Sequence, residues 1–156
     1  PRKPPGSKPC AATSGANNWV MDVLTRDFNL NQAVLAAIST QPGIGLAILF
    51  GSLATGAGRV ESDLDLAVDA GRRLTAGEKM ALISELAGRV GRPVDLVDIH
   101  TVGEPLLGQI LQHGKRILGS DTHYANLLRR HLFDQADYLP YRNRILAERR
   151  QAWIGQ

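Results

Sequence analysis

The chain has 156 residues, of which 44% are apolar and 21% are charged, so it can form one packed domain and wholesale disorder is excluded. The net charge of +3 is unevenly distributed: residues 1–20 and 123–156 each carry +3, whereas residues 21–122 carry nine Lys or Arg against twelve Asp or Glu. A central region of that sign is a poor nucleic-acid surface, so we do not expect direct DNA binding despite the basic total.

The first twenty residues contain four of the eight prolines and almost no large apolar side chain, so we predict a flexible leader over 1–20. The leader has basic residues but no apolar core of the kind that a secretory signal needs. No apolar segment approaches the roughly 20 residues of a membrane helix. Cys10 is the only cysteine, which excludes an internal disulfide framework and a cysteine-based metal cluster. We therefore expect a cytoplasmic protein with no membrane partner.

Hydrophobic periodicity predicts an α/β (α+β) domain of short strands and helices over 21–121, and a C-terminal helical extension over 122–156. Short apolar segments bounded by Gly or Pro indicate strands, and apolar residues three and four apart indicate helices. In chain order we predict a helix over 29–41, a strand over 46–50, a loop or short helix over 53–62, a strand over 64–68, a helix over 75–90, and then a strand over 94–99, a helix from 105 to about 113 and a short strand over 116–118. Thr75 and Glu78 have the spacing of a capping box, and Pro140 predicts a break or kink in the extension.

A Gly-Ser pair and two carboxylates occupy the ends of two successive predicted strands. Gly51 and Ser52 follow the first strand. After ten intervening residues, Asp63 and Asp65 lie at the start of the second strand. Side chains two apart on a strand share a face, so these carboxylates lie side by side and repel unless a divalent cation such as Mg²⁺ stands between them. A Gly lets a phosphate approach the backbone, and the Ser hydroxyl can donate to it. A nucleoside triphosphate with Mg²⁺ fits this arrangement, because its phosphates suit the Gly-Ser pair and its cation suits the two carboxylates.

A third carboxylate is expected from the next strand, whose sequence is VDLVDI. Asp95 and Asp98 point to opposite faces of that strand, so only one of them can join the pair. We favour Asp95, because it lies near the start of its strand as the other two carboxylates do, and we keep Asp98 as the alternative. The third carboxylate would ligate a second Mg²⁺ and help to deprotonate an attacking hydroxyl. Each of these motifs alone is common on surfaces, and the prediction depends on their joint order.

The stretch LFGS-LATGAGRVES-DLDLAV resembles the signature of the minimal nucleotidyltransferase (MNT) domain of the DNA polymerase beta superfamily, and the resemblance covers about residues 29–120. It implies a polymerase-beta-like nucleotidyltransferase core with a small mixed β-sheet flanked by helices. It also implies that this core uses ATP and Mg²⁺, transfers a nucleoside monophosphate and releases pyrophosphate. By position, it implies that Gly51 and Ser52 hold the triphosphate. It also implies that Asp63, Asp65 and Asp95 are the metal ligands and that Asp95 is the base.

The resemblance further implies a partner, because small MNT proteins are typically antitoxins of HEPN-domain toxins. In that family the MNT protein neutralises its toxin by adding AMP to a toxin tyrosine, by forming a complex, or both. The family often has basic residues just after Gly-Ser, whereas this chain has Leu53 and Thr55 there, with Arg59 as a substitute. Two alternatives therefore stay open: a non-catalytic antitoxin that only binds its partner, and the catalytic subunit of a two-subunit small-molecule nucleotidyltransferase.

Overall fold

A computed structural model describes residues 28–41, 43–59 and 62–154, without the side chains of 138 and 139. The predicted leader over 1–20 lies outside the described residues. The described elements are a helix α1 over 28–38, then β1 (Leu46–Phe50), α2 (Gly51–Ala54), β2 (Leu64–Asp69), α3 (Ala76–Val90), β3 (Val94–Asp98), α4 (Leu106–His113), β4 (Lys115–Leu118) and α5 (Asp121–Ile154).

The four strands form one mixed sheet in the order β3-β2-β1-β4. Strand β1 pairs antiparallel with both β2 and β4, and β2 pairs in parallel with β3. The parallel pair is joined by α3, as a crossover connection between parallel strands requires. This confirms the small mixed sheet flanked by helices that the sequence predicts.

Each face of the sheet is covered by two helices, so the apolar core has two layers. The first layer packs α1 and α3 against one face, with Val34, Leu82 and Leu86 among its buried members. The second layer packs α4 and the start of α5 against the other face, with Ile110 and Leu127 among its buried members. Because both faces are covered, the central strand β1 is apolar throughout and does not alternate, whereas the other strands carry charged residues near their ends.

Local sequence signals set most of the helix ends. Thr75 caps α3: its hydroxyl accepts from the Glu78 amide while the Glu78 carboxylate accepts from the Thr75 amide, which confirms the predicted capping box. Gly91 ends α3 in the left-handed conformation with φ of 69°. Helix α1 ends at residue 38, three residues before the predicted end, because the hydroxyls of Ser39 and Thr40 donate to carbonyls of the last turn.

Helix α5 continues through Pro140, so the break that this residue suggested is absent. A proline inside a helix lacks the amide of one helical hydrogen bond, and the remaining bonds carry the helix across it. The first turns of α5 pack on the sheet through Leu127, whereas Leu132, Phe133 and Trp153 are exposed. No helix within the described ranges is both long and apolar enough to cross a membrane.

Candidate functional site

The turn from β1 into α2 brings the backbone against the carboxylate of Asp65. Gly51 has a φ of +68°, which L-residues with a side chain rarely adopt, and a Cβ placed on it would lie 2.0 Å from Asp65 Oδ2. Gly51 is therefore required both for the turn and for the contact. No side chain caps the N-terminus of α2, and Ser52 lies half-buried in its first turn. The amides of this turn thus point to a place where a ligand oxygen could accept them.

The sheet register aligns the predicted carboxylates on one face. Asp65 pairs directly with Asp95 across the parallel β2–β3 ladder, and Asp63 precedes Asp65 by two residues on the same face. Asp65 is half-buried, whereas Asp63 and Asp95 are exposed. Burial, and then the charges of Asp95 and Asp63, raise the pKa of Asp65 above its ordinary value. A bound cation would relieve the repulsion that contributes to this shift.

Asp98 does not join this group. It pairs with Val68 in the register, on the face that α3 covers, and its side chain is buried. One of its carboxylate oxygens accepts from the amide of Leu74 and the other from the amide of His100, at 2.8 and 2.9 Å. Asp98 thus fixes two loops, and of the two candidates on β3 only Asp95 lies beside Asp65.

The fit of these side chains to Mg²⁺ can be judged from their chemistry and positions. Oxygen donors from carboxylates are the ligands that Mg²⁺ prefers, and the charges of Asp95 and Asp63 add to the burial that raises the pKa of Asp65. Across residues 28–41, 43–59 and 62–154, no three Asp, Glu, His or Cys side chains converge as they stand on one point that could hold a metal. Asp63 and Asp95 are exposed, so rotamer changes can turn both toward a shared cation. The donor set fits Mg²⁺, with rearrangement of the two exposed carboxylates.

A cavity of about 390 Å³ opens beside this group, and two of its lining residues come from α4. Its walls are formed by Phe50, Gly51, Thr55, Asp65, Gln109 and His113. The sequence analysis missed Gln109 and His113, which lie more than forty residues after Asp65 in the chain. No spacing rule marks them, because only the packing of α4 on β1 brings them to the cavity.

The residues after Ser52 differ in their surroundings. Leu53 packs against the first core layer, and its side chain would collide with a Cβ at Gly58, 2.5 Å from Leu53 Cδ2. Thr55 lines the cavity, and its hydroxyl donates to the carbonyls of the α2 turn. Arg59 is exposed, and its backbone amide donates to the hydroxyl of Ser62.

A second polar cluster lies at the opposite end of β2. The buried carboxylate of Asp69 bonds the imidazole of His100 at 2.8 Å and that of His123 at 3.1 Å, and it accepts from the amide of Gly71. Burial acts to raise the pKa of Asp69, but the amide of Gly71 and the two imidazoles hold it below its ordinary value. His100 thus belongs to a hydrogen-bonded cluster around Asp69.

Comparison with known proteins identifies the fold around this site. The family model described as "Polymerase beta, Nucleotidyltransferase" matches residues 32–123, which is more than half of the chain and contains the whole site. The chain belongs to the polymerase beta nucleotidyltransferase family. This confirms the family resemblance and the nucleotidyltransferase core that the Gly-Ser and Asp-x-Asp spacing predicted.

Relatives within the nucleotidyltransferase family include antitoxins. The chain is 30% identical over 95 residues to protein adenylyltransferase MntA of Shewanella oneidensis, covering 61% of this chain and 68% of that relative. A mutant MntA–HepT toxin–antitoxin complex has a chain with a TM-score of 0.68 and 25% identity, covering 77% of this chain and 97% of that one. A toxin–antitoxin structure with AMP-PNP has the same fold, with a TM-score of 0.63 at 24% identity over 74% of this chain and 98% of that one.

Proposed function

We propose that this chain is an antitoxin that transfers AMP from ATP to a hydroxyl group, that of a tyrosine on a partner HEPN-domain toxin. The observation that carries the proposal is the contact of Gly51 with Asp65, which in turn pairs with Asp95. This contact supports a phosphate-binding turn next to an acidic metal site, the arrangement that transfer of a phosphoryl-linked group would require. The similarity to an MntA named as a protein adenylyltransferase, and to a toxin–antitoxin structure with AMP-PNP, supports the choice of ATP and of a protein acceptor.

The proposed roles follow from the positions of the side chains. The amides of the α2 turn and Ser52 would hold the triphosphate, and Gly51 leaves room for it beside Asp65. Asp63, Asp65 and Asp95 would hold two Mg²⁺ ions, which supply neutralisation of the charge on the transferred and leaving phosphate oxygens. Asp95 is the exposed carboxylate on β3 and would accept the proton of the acceptor hydroxyl. The acceptor oxygen then forms a bond to the α-phosphorus as the bond to pyrophosphate breaks.

The acceptor is proposed to lie on another chain, as the similarity to a chain of a toxin–antitoxin complex supports. Beyond its packed first turns, α5 exposes Leu132, Phe133, Tyr141 and Trp153. Exposed apolar side chains of this number on one helix are typical of a protein interface. We assign this part of α5, within the proposed extension over 122–156, to contact with the toxin. A protein that uses ATP and a toxin partner in this way is proposed to act in the cytoplasm.

A binding-only antitoxin is the second candidate, and one observation favours it. The position after Ser52, where the family often has a basic residue, is occupied by Leu53, which packs on the core and cannot neutralise phosphate. In that case the chain would bind its toxin and transfer nothing. The acidic residues on β2 and β3 would then have no chemical role.

The test is transfer of label from α-³²P-ATP to the cognate HEPN protein by the purified chain. We expect labelled toxin with MgCl₂ and none with EDTA, and mass spectrometry of the toxin should place the added mass on a tyrosine. The variant Asp65→Asn should abolish labelling, because it removes the central negative charge while the side chain keeps its size. A matched control is Asp121→Asn, which changes an exposed carboxylate far along the chain that pairs with Arg116.

Each outcome separates the two candidates. Labelling that needs Mg²⁺ and Asp65 supports transfer. Neutralisation of the toxin by Asp65→Asn at wild-type level, with no labelling by the wild-type chain under any metal condition, would refute transfer and support binding alone.

A further inference from the structure

The cavity beside Gly51 has a strongly unequal distribution of charge. Asp65 contributes a carboxylate, and Asp63 and Asp95 lie next to it on the same face. Of the six described residues that line the cavity, only His113 has a basic side chain. A triphosphate in this cavity would therefore meet one basic side chain among these residues.

The position of His113 is fixed by the packing of α4. Gly114 ends the helix, and a Cβ on it would lie 2.2 Å from the carbonyl oxygen of Ile110 and 2.4 Å from Ile48 Cγ2. The last turn of α4 thus lies directly against β1, and Ile110 is fully buried there. His113 stays exposed at the C-terminal end of the helix, where the helix dipole favours a cation.

The order of the strands shows which substrate His113 faces. Asp95, the proposed base beside the acceptor, is on β3 at one edge of the sheet. Helix α4 packs near β1, two strands away, on the same side of the site as Gly51 and Thr55. His113 is thus on the wall that holds the triphosphate, opposite the acceptor.

The chain lacks a cation at the positions where one would otherwise be expected. Leu53 is packed into the core, and Thr55 donates its hydroxyl to the carbonyls of the α2 turn. A histidine from α4 can reach the same cavity from the other side of the turn. This arrangement would neutralise phosphate charge with a residue that is far from Gly-Ser in the sequence.

We propose that His113 donates a hydrogen bond to the phosphate chain of the bound nucleotide, in place of the basic residues that are absent after Ser52. This inference rests on the proposed function, since it needs a nucleotide in the cavity. Charge-assisted hydrogen bonds to phosphate are the stronger kind, but the exposure of His113 reduces their effect through solvent screening.

The test is the dissociation constant of the full-length chain for MgATP and for magnesium tripolyphosphate, measured by isothermal titration calorimetry. The variants are His113→Gln, which keeps a donor but no charge, and His113→Arg, which fixes the charge. Gln112→Ala is the matched control, because Gln112 is an exposed neighbour on α4 that is not among the lining residues of this cavity. Circular dichroism melting checks that the variants fold as the wild type does.

We expect His113→Gln to raise the dissociation constants of both ligands about 3–10-fold. His113→Arg should bind both ligands at least as tightly as the wild type, and the dissociation constants of Gln112→Ala should stay within about twofold of the wild-type values. Unchanged affinity of His113→Gln for both ligands would overturn the inference while leaving the proposed function intact. Loss of MgATP affinity alone, with tripolyphosphate unaffected, would also overturn it, because the contact would then be to the nucleoside. A wild-type chain that binds neither ligand would instead refute the proposed function itself.

Discussion

Replacement of Asp65 by Asn should stabilise the metal-free protein while it destroys the proposed metal site. The side chain keeps its size, so it still fits against Gly51, which has no Cβ to meet it. What changes is the charge directly opposite Asp95 in the β2–β3 register. Like charges directly opposite each other in a sheet destabilise it, so the change removes an unfavourable interaction.

The magnitude follows from the pairing geometry. A charged cross-strand pair is worth roughly 0.2–1 kcal/mol, and for a chain of this size 1 kcal/mol corresponds to about 2–4 °C in Tm. We therefore expect Asp65→Asn to melt about 0.4–4 °C higher than the wild type in EDTA at pH 7.5. The exposure of Asp63 and Asp95 places the effect in the lower half of this range, because solvent screens their charges.

The pH dependence has a definite sign. The folded-state pKa of Asp65 is raised, so ionisation of this group costs stability as the pH rises through that value, and protonated Asp65 costs none. The advantage of Asp65→Asn should be full at pH 7.5 and should disappear toward pH 3, below the ordinary value of 3.8, where Asp65 becomes protonated in the folded and the unfolded chain alike.

Differential scanning calorimetry of both chains at these two pH values, in EDTA and with MgATP, measures the effect. MgATP should raise the Tm of the wild type and leave that of Asp65→Asn unchanged. A variant that melts below the wild type in EDTA at pH 7.5 would refute the reasoning, because Asp65 would then be a stabilising structural residue.

Three further predictions concern the site and its supports. Gly51→Ala should lower the free energy of unfolding by more than Gly56→Ala does. Both positions have positive φ, which costs an alanine about 1–2 kcal/mol, but only at Gly51 would the methyl group also collide with Asp65. Urea unfolding of the two variants gives the difference, and equal values would show that the collision is relieved without cost. Asp98→Ala should lower the free energy of unfolding by about 2–3 kcal/mol in the same assay, because two backbone amides lose their charged acceptor. A decrease of less than about 1 kcal/mol would contradict the role of Asp98 as that acceptor. Asp69→Asn should be less stable than the wild type at pH 7. Because the folded-state pKa of Asp69 is lowered, this difference in stability should disappear as the pH falls below 3.8, the ordinary pKa of an aspartate. A difference in stability that does not depend on pH would refute this.

The strands and most helix ends could be predicted because their signals are local. The apolar segment over 46–50 lies between glycines and is a strand with those bounds, and the capping box at Thr75 and Gly91 define α3. The end of α1 was predicted three residues late, because the bonds that Ser39 and Thr40 make to the preceding turn compete with continuation of the helix. At Pro140 the helical context outweighed a residue that usually ends helices.

The candidate site could be predicted only where its residues share a strand or a short connection. The Gly-Ser and Asp-x-Asp spacing predicted Gly51 and Asp65 at adjacent strand ends. The position of Asp95 near the start of its strand favoured it over Asp98, and in the register Asp95 pairs with Asp65. His113 reaches the cavity through tertiary packing of α4, which has no counterpart in spacing or periodicity. Such residues are found by asking which helix covers the site once the sheet order is known.

The aspartates of the sheet have similar positions in their strands but differ in how the fold compensates their charges. Asp69 and Asp98 lie at strand ends just as Asp65 and Asp95 do, but each of them accepts hydrogen bonds from backbone amides. Their charges are therefore satisfied within the chain, and for Asp69 the consequence is a lowered pKa. Asp65 has the opposite shift, because its neighbours are carboxylates and its surroundings are partly desolvated. A carboxylate whose charge the fold leaves uncompensated is the one that gains most from a cation, and by this criterion Asp65 is the centre of the site.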